Sequence, residues 1–342
     1  MGAPNVNLEG SRTTISPSAS GTLPPLSTIH SLGPSQASGI GFDELELLHH
    51  YTTATSVSLA DGHRNIGAYR VIMPQLGLEH TFLMHGILAL AALHMAHLLP
   101  NRQAELVAKA AMHEGHALPA YRNAISSLTK ENAHAMFAFS GLVVPYAQAT
   151  ATVSVSSNSS APSTEDIFPA WFQLLRGASS LIFRTRPWLV EGPFSHLIRS
   201  QSPVDCTLNP CDERITTLFS LLSPSGGMTA DKEAELLVSR TALEQLRQCS
   251  ALPFSPYHTI GSKAAATIWL MIVSEEYVQL IRASNPEALI VLAHYCVLLR
   301  QTESSWHMQH QAEGLLEAIF QHIDSARSTW LEWPKEHVIA RV

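Results

Sequence analysis

The sequence predicts an all-α protein: one multi-helix domain around an apolar pocket, preceded by a disordered arm. Three observations predict it. Apolar residues recur at helical spacing through most of the chain beyond about residue 40. Helix starts and stops are marked by capping residues and prolines at the expected places. Strict apolar/polar alternation is nearly absent, the only candidate being VSVS near Val153. With 342 residues, 46% of them hydrophobic and 14% charged, the chain is long enough for one large core. No internal repeat of solenoid length is found.

Residues 1–40 hold Pro4, Pro17, Pro24, Pro25 and Pro34 among many Ser and Thr. Such a segment buries too little to offset its ordering entropy, which predicts a disordered arm. The domain follows over 41–342. Asp43–Leu59 reads as a helix with Leu45, Leu48, Thr52 and Ser56 on one side and Asp43, Glu44 and Glu46 at its start, where the helix dipole favours acids. Thr81–Leu99, TFLMHGILALAALHMAHLL, reads as a core helix rather than a membrane span, because it carries His85, His94 and His97. Arg102–Leu128 is an Ala-rich helix with a break expected at Pro119. Residues 151–163, ATVSVSSNSSAPS, read as a flexible loop. Ser163 and Asp166 suggest a capping box before a helix over Phe168–Phe183. Ser223–Lys232 is a turn-rich loop. Asn285 and Pro286 give an N-cap and first-turn proline to a helix over Glu287–Gln301. A last helix from about Ser304 should end before Pro334.

Composition narrows the function. The formal net charge is -7, and the lysines are Lys109, Lys130, Lys232, Lys263 and Lys335. Binding to nucleic acid uses clustered basic residues that displace counterions, and the arginines here are scattered, so direct nucleic-acid contact is not expected. Cys206, Cys211, Cys249 and Cys296 form no CxxC pair. They cannot build a binuclear zinc cluster and read as reduced and mostly buried. No secretory signal or transmembrane segment is predicted.

Eighteen histidines raise the question of a metal. The pairs His94/His97, His113/His116 and His307/His310 have the spacing that puts two imidazoles on one helix face. None forms HExxH and no carboxylate or cysteine completes a set, so no metal and no cofactor are expected. Arg176-Gly177-Ala178-Ser179-Ser180 lacks the second glycine of a nucleophile elbow, and no phosphate loop is present. The aromatic and Met residues in apolar segments are the better candidates for a site. Phe82, Met84, Leu88, Phe137, Phe139, Trp171, Trp269, Met271, Tyr277, Trp306 and His310 could line a cavity between helices, with His85 as the polar group that orients a ligand.

Several strings resemble the fungal-specific transcription factor domain of the sterol-uptake-control type. These are LELLHHYTTAT (Leu45–Thr55), HTFLMHGILALAALHMA (His80–Ala96), FPAWFQLLRG (Phe168–Gly177), EALIVLAHYCVLL (Glu287–Leu299) and STWLEWP (Ser328–Pro334). The resemblance runs from about Phe42 to Pro334. It implies an all-α fold enclosing a hydrophobic pocket that binds a sterol- or terpenoid-like molecule, and a nuclear or nucleocytoplasmic regulator, acting as a homodimer or with a DNA-binding partner. Two departures stand out. Met1 falls within what looks like the linker that follows the family's zinc cluster, so promoter binding by the chain itself is not expected. In SSWHMQHQAEGLL, Trp306 matches the first tryptophan of a family motif, while His307 replaces the second and His310 stands near a glycine. Imidazoles there, with His85, would allow acid–base chemistry. The alternative reading is therefore a biosynthetic isomerase or cyclase acting on an apolar natural product.

Overall fold

The computed structural model describes residues 41–61, 65–155, 170–195, 204–256 and 260–339. The 1–40 arm, the capping pair Ser163 and Asp166, and Phe168 lie outside them. Among the described residues every regular element is helical and no strand occurs, in accord with the predicted fold class.

The first element is α1 (Phe42–His50), which runs into a π-helical turn at Tyr51–Thr55 and a short α2 (Ser56–Leu59). The face it buries differs from the expected one. Leu47, Tyr51, Thr55 and Leu59 point inward, whereas Leu45 is half exposed. A four-residue spacing drifts around a regular α-helix; the wider π turn keeps this stripe aligned. Tyr51 anchors it by donating to Met73 Sδ at 3.4 Å. A second π turn, Ala68–Ile72, leads into α3 (Met73–Glu79).

Helix α4 (Thr81–Leu98) is apolar all round and buried along nearly its whole length, as a core helix must be. It is long and apolar enough to cross a membrane, but 67% of it is buried within the protein. A 3-10 turn (Pro100–Arg102) reverses the chain into α5 (Gln103–Ser126), which packs against α4. The break expected at Pro119 does not occur: α5 continues through it. The lost bond and ring clash cost about 3 kcal/mol in an isolated helix. Here Leu106, Ala110, His113 and Ala117 are buried on one face, and packing along that face holds the helix together.

Helix α6 (Ala133–Val155) extends into what the sequence suggests is loop, so residues 151–155 are helical. The rest of that loop, 156–163, is outside the described residues. Helix α6 crosses α4 at Gly86, where a Cβ would stand 2.7 Å from the Phe139 ring. Helix α7 (Ala170–Leu189) follows, and packs on α6.

The second half contains α8 (Asp212–Leu221), α9 (Ala230–Ala251), α10 (Ser262–Ile272), α11 (Glu275–Arg282) and α12 (Pro286–Arg300). Their starts follow from local chemistry. Thr229, Ser274 and Asn285 each accept a backbone N–H three residues on, and Pro286 occupies the first turn of α12 as expected. Helix α12 is the buried axis of this half. Tyr295 stacks on Trp269 with centroids 4.5 Å apart, and Tyr277 donates to Ala288 O.

The chain then departs from the single long helix expected. It forms a 3-10 turn at Trp306–Met308, α13 (Gln311–Phe320) and α14 (Glu332–Val338). His310 breaks the run by adopting φ 61°, a left-handed conformation. Pro334 does not stop a helix but lies in the first turn of α14, where no intrahelical N–H bond is lost.

Two apolar cores result. One is built on α1, α4, α5 and α6, the other on α9 to α13. Trp306 belongs to the first and Met308 to the second, so the 306–308 turn bridges the two.

Candidate functional site

Where the two cores meet, the helices line a partly open cavity of about 370 Å³. Its walls are regular helix faces. Phe137, Gly141, Val144 and Gln148 lie three or four residues apart on α6. Trp171, Leu175, Ala178, Ile182 and Arg186 form the facing stripe of α7. Lys263, Thr267 and Met271 do the same on α10. Tyr295 from α12 and His307 and Met308 from the bridging turn close the cavity.

The lining is mostly apolar, with polar groups contributed by Asp61, Asn65, Tyr69, α10 and the 306–308 turn. Asp61 accepts the Ala264 N–H at 2.9 Å, at the start of α10. It sits so close to Gly261 that a Cβ there would overlap its carboxylate. Lys263 donates to Ser58 O and Ala60 O at 2.8 and 2.9 Å. Burial pulls the Lys263 ammonium below its ordinary pKa, and the Asp61 carboxylate partly offsets this. His307 Nδ1 lies 3.1 Å from Gln148 Oε1. Burial, followed by the Lys263 charge and then His94, pulls His307 down to about 3, so the ring is neutral at physiological pH. Behind it Trp306 donates to Ser58 Oγ at 3.1 Å and stacks on His94.

The twelve residues singled out as a pocket do not come together as a set. Phe137, Trp171 and Met271 line the cavity. Phe82 and Phe139 meet edge to face in the first core, with Tyr121 against both. Leu88 is buried in that core. Met84 packs under Gly77 at the α3–α4 crossing. Trp269 is fully buried, donating to Ala242 O, and Tyr277 packs edge-on to it. Trp306 sits behind the cavity wall against His94. The three imidazoles considered for acid–base chemistry are also dispersed. His307 lines the cavity. His85 lies 2.9 Å from His113, nitrogen to nitrogen, with His116 alongside. His310 is on the surface, its side chain 78% exposed. Among the described residues no group of three or more His, Cys, Asp or Glu side chains could hold a metal ion.

Sequence reasoning passed over Asp61, Asn65, Tyr69, Gln148, Lys263 and Tyr295, all in the cavity wall. Two left a trace. Gln148 is a lone amide in the apolar run of α6, and Lys263 is a rare lysine opening an apolar helix. The other four carry no such contrast.

A many-helix domain is what the sequence resemblance implies and what the structure has, and comparison with known proteins finds relatives of the same kind. Residues 46–202 match the fungal specific transcription factor domain. The chain is 27% identical over 303 residues to a Zn(2)-C6 fungal-type transcription factor of Gibberella zeae, covering 85% of this chain and 61% of that protein. It is 24% identical to Zn(2)-C6 fungal-type transcription factor afumD of Aspergillus fumigatus, covering 84% of this chain and 77% of that protein. It is 28% identical over 175 residues to Sterol uptake control protein 2 of Candida albicans, covering 51% of this chain and 23% of that protein. The chain thus spans about three fifths of the Gibberella relative's length. The chain is thus similar to fungal Zn(2)-C6 transcription factors over most of its length.

Proposed function

We propose that this domain regulates transcription in the nucleus by holding a hydrophobic small molecule, sterol- or terpenoid-like, in the cavity between its two cores. The bound state is read out through a partner protein or a second copy of the chain. The observation that carries this reading is the cavity itself. Its volume lies within the ~300–1,000 Å³ of ordinary small-molecule sites, and its walls are apolar faces of three helices with a small polar group. The name of the Candida relative supports a sterol among the candidates.

The cavity's position gives a physical route from binding to regulation. Its lining is shared by residues of both cores and by the turn that bridges them. A molecule that fills it changes how the two halves pack. Burying about 250 Å² of apolar ligand surface at ~25 cal/mol per Å² gains roughly 6 kcal/mol. A difference of about 5.5 kcal/mol between two states moves a population from 1:99 to 99:1.

The test starts from the purified full chain. Solvent extraction and mass spectrometry should recover an apolar molecule. Equilibrium dialysis against a sterol alcohol and a tricyclic diterpenoid alcohol should show saturable binding of at least one. Ala178→Phe, which places a ring in the cavity from α7, should weaken that binding tenfold or more while the melting temperature holds. A reporter driven by the chain fused to a heterologous DNA-binding module should respond to the same molecule. Absence of both a co-purifying molecule and saturable binding would refute the reading.

A further inference from the structure

The unpaired polar atoms of the cavity wall fall into two groups. His307 Nε2 and Asn65 Oδ1 are acceptors, but both are sealed inside the wall and present no surface to the cavity. What remains free lies on the donor side. The Tyr69 hydroxyl, the Gln148 amide N–H and the Arg186 guanidinium have no hydrogen-bond partner among the described residues. Burial, then the Asp61 charge, pushes the Tyr69 phenol up to about 12, so it keeps its proton at neutral pH. Gln148 Oε1 faces His307 Nδ1, which leaves the amide nitrogen unused.

Charge points the same way. Three wall residues carry a full charge: Asp61, Lys263 and Arg186. The first two answer each other. Asp61 accepts the Ala264 N–H and its charge acts on Lys263, whose ammonium is spent on Ser58 O and Ala60 O. Arg186 is half-buried, and no carboxylate among the described residues pairs with it. The wall therefore keeps one uncompensated positive charge. A guanidinium offers a planar fork of N–H donors whose shape matches a carboxylate. Arg186 also continues the α7 stripe of Trp171, Leu175, Ala178 and Ile182. That stripe rises roughly 22 Å along the helix, at about 1.5 Å per residue, and apart from its last member it is apolar.

Resting on the reading of this cavity as a ligand site, we infer that its occupant is an apolar carboxylic acid: a terpenoid or steroid skeleton whose carboxylate pairs with Arg186 while the skeleton lies along α7 toward Trp171. The carboxylate supplies the counterion that the wall lacks, and burial of the skeleton supplies most of the affinity. A methyl ester or an alcohol of the same skeleton fills the same space but leaves Arg186 without an anion.

The experiment compares three forms of each of two skeletons, a tricyclic diterpenoid and a steroid with a carboxyl-bearing side chain: carboxylic acid, methyl ester and alcohol. Each is titrated into the full chain at neutral pH by equilibrium dialysis with mass-spectrometric quantification. For at least one skeleton the acid should bind roughly ten-fold tighter than its ester, the low end for a charge-assisted bond because solvent partly screens Arg186. Raising the salt concentration should shrink that advantage. In Arg186→Met and Arg186→Gln the acid should fall to the level of its ester, with the circular dichroism spectrum unchanged. Arg186→Lys, which keeps the charge and loses the fork, should retain part of the advantage. Equal affinity for acid and ester with both skeletons, or an ester or alcohol that binds tightest, would overturn the inference and leave the cavity a ligand site. An acid advantage that survives in both neutral variants would overturn it as well. Failure of all six molecules to bind would remove the ligand-binding reading together with this one.

Discussion

Lowering the pH from 7 to 5 should destabilise this protein steeply, and the effect should come from histidines rather than carboxylates. His94, His113, His294 and His307 are each between 2% and 7% exposed. Burial pulls them to about 4, 4, 4 and 3 respectively. Neighbouring imidazoles add to this for His94 and His113. For His307, the Lys263 charge adds to it. The folded pKa is depressed below the unfolded value near 6.5, so the unfolded chain takes up protons first. Stability is therefore intact above about pH 6.5 and falls as pH drops toward the folded pKa values. At pH 5.5 each unfolded imidazole holds about 0.9 proton that its buried counterpart does not, a slope of roughly 1.2 kcal/mol per pH unit. Four such groups give up to about 5 kcal/mol per unit, against a total stability of roughly 5–15 kcal/mol for ordinary domains. Urea unfolding followed by circular dichroism at half-unit steps from pH 7 to 5 measures this slope. His294→Phe, which removes the imidazole between Ile290 O and the Trp333 ring, should lower the slope by about one quarter. A total slope below about 1 kcal/mol per unit between pH 6 and 5 would show that these rings are not held neutral in the folded protein.

Three further outcomes follow from particular contacts. Gly86→Ala should cost about 1–3 kcal/mol in urea unfolding, because its Cβ would press on the Phe139 ring where α4 crosses α6. Asn285→Ala should cost about 1 kcal/mol by removing the α12 cap, and more if the Asn285–Glu235 bond is also felt. His310→Gly should raise stability by up to about 1 kcal/mol, since glycine adopts φ 61° without the Cβ penalty; a loss of stability there would show that the imidazole contributes a contact that outweighs the strain.

Helix identity was legible in the sequence wherever the signal is local. The Asn285–Pro286 start of α12 and the all-apolar character of α4 depend on neighbours within a few residues, and the structure has both. Local signals misled where tertiary packing overrode them. Pro119 breaks an isolated helix but not one clamped along α4. The inward face of α1 is shifted by a π turn that no residue type announces. Near Pro334 the rule against interior proline predicts a stop, but the chain starts a new helix there and proline is tolerated in its first turn.

The site divides along the same line. Amino-acid sequence alone determined that the described residues are helical and that the chain is poor in clustered charge, because these properties follow from composition and from spacing along one helix. The choice of Phe137, Trp171 and Met271 for the cavity over Phe82, Trp269 and Tyr277 was made only by the tertiary structure. All six sit in similar apolar surroundings in sequence, and whether an aromatic ring fills a core or borders a void depends on which helix crosses it. The same holds for His307 and His310. They are three residues apart, yet a left-handed turn sends one ring into the cavity wall and the other to the surface.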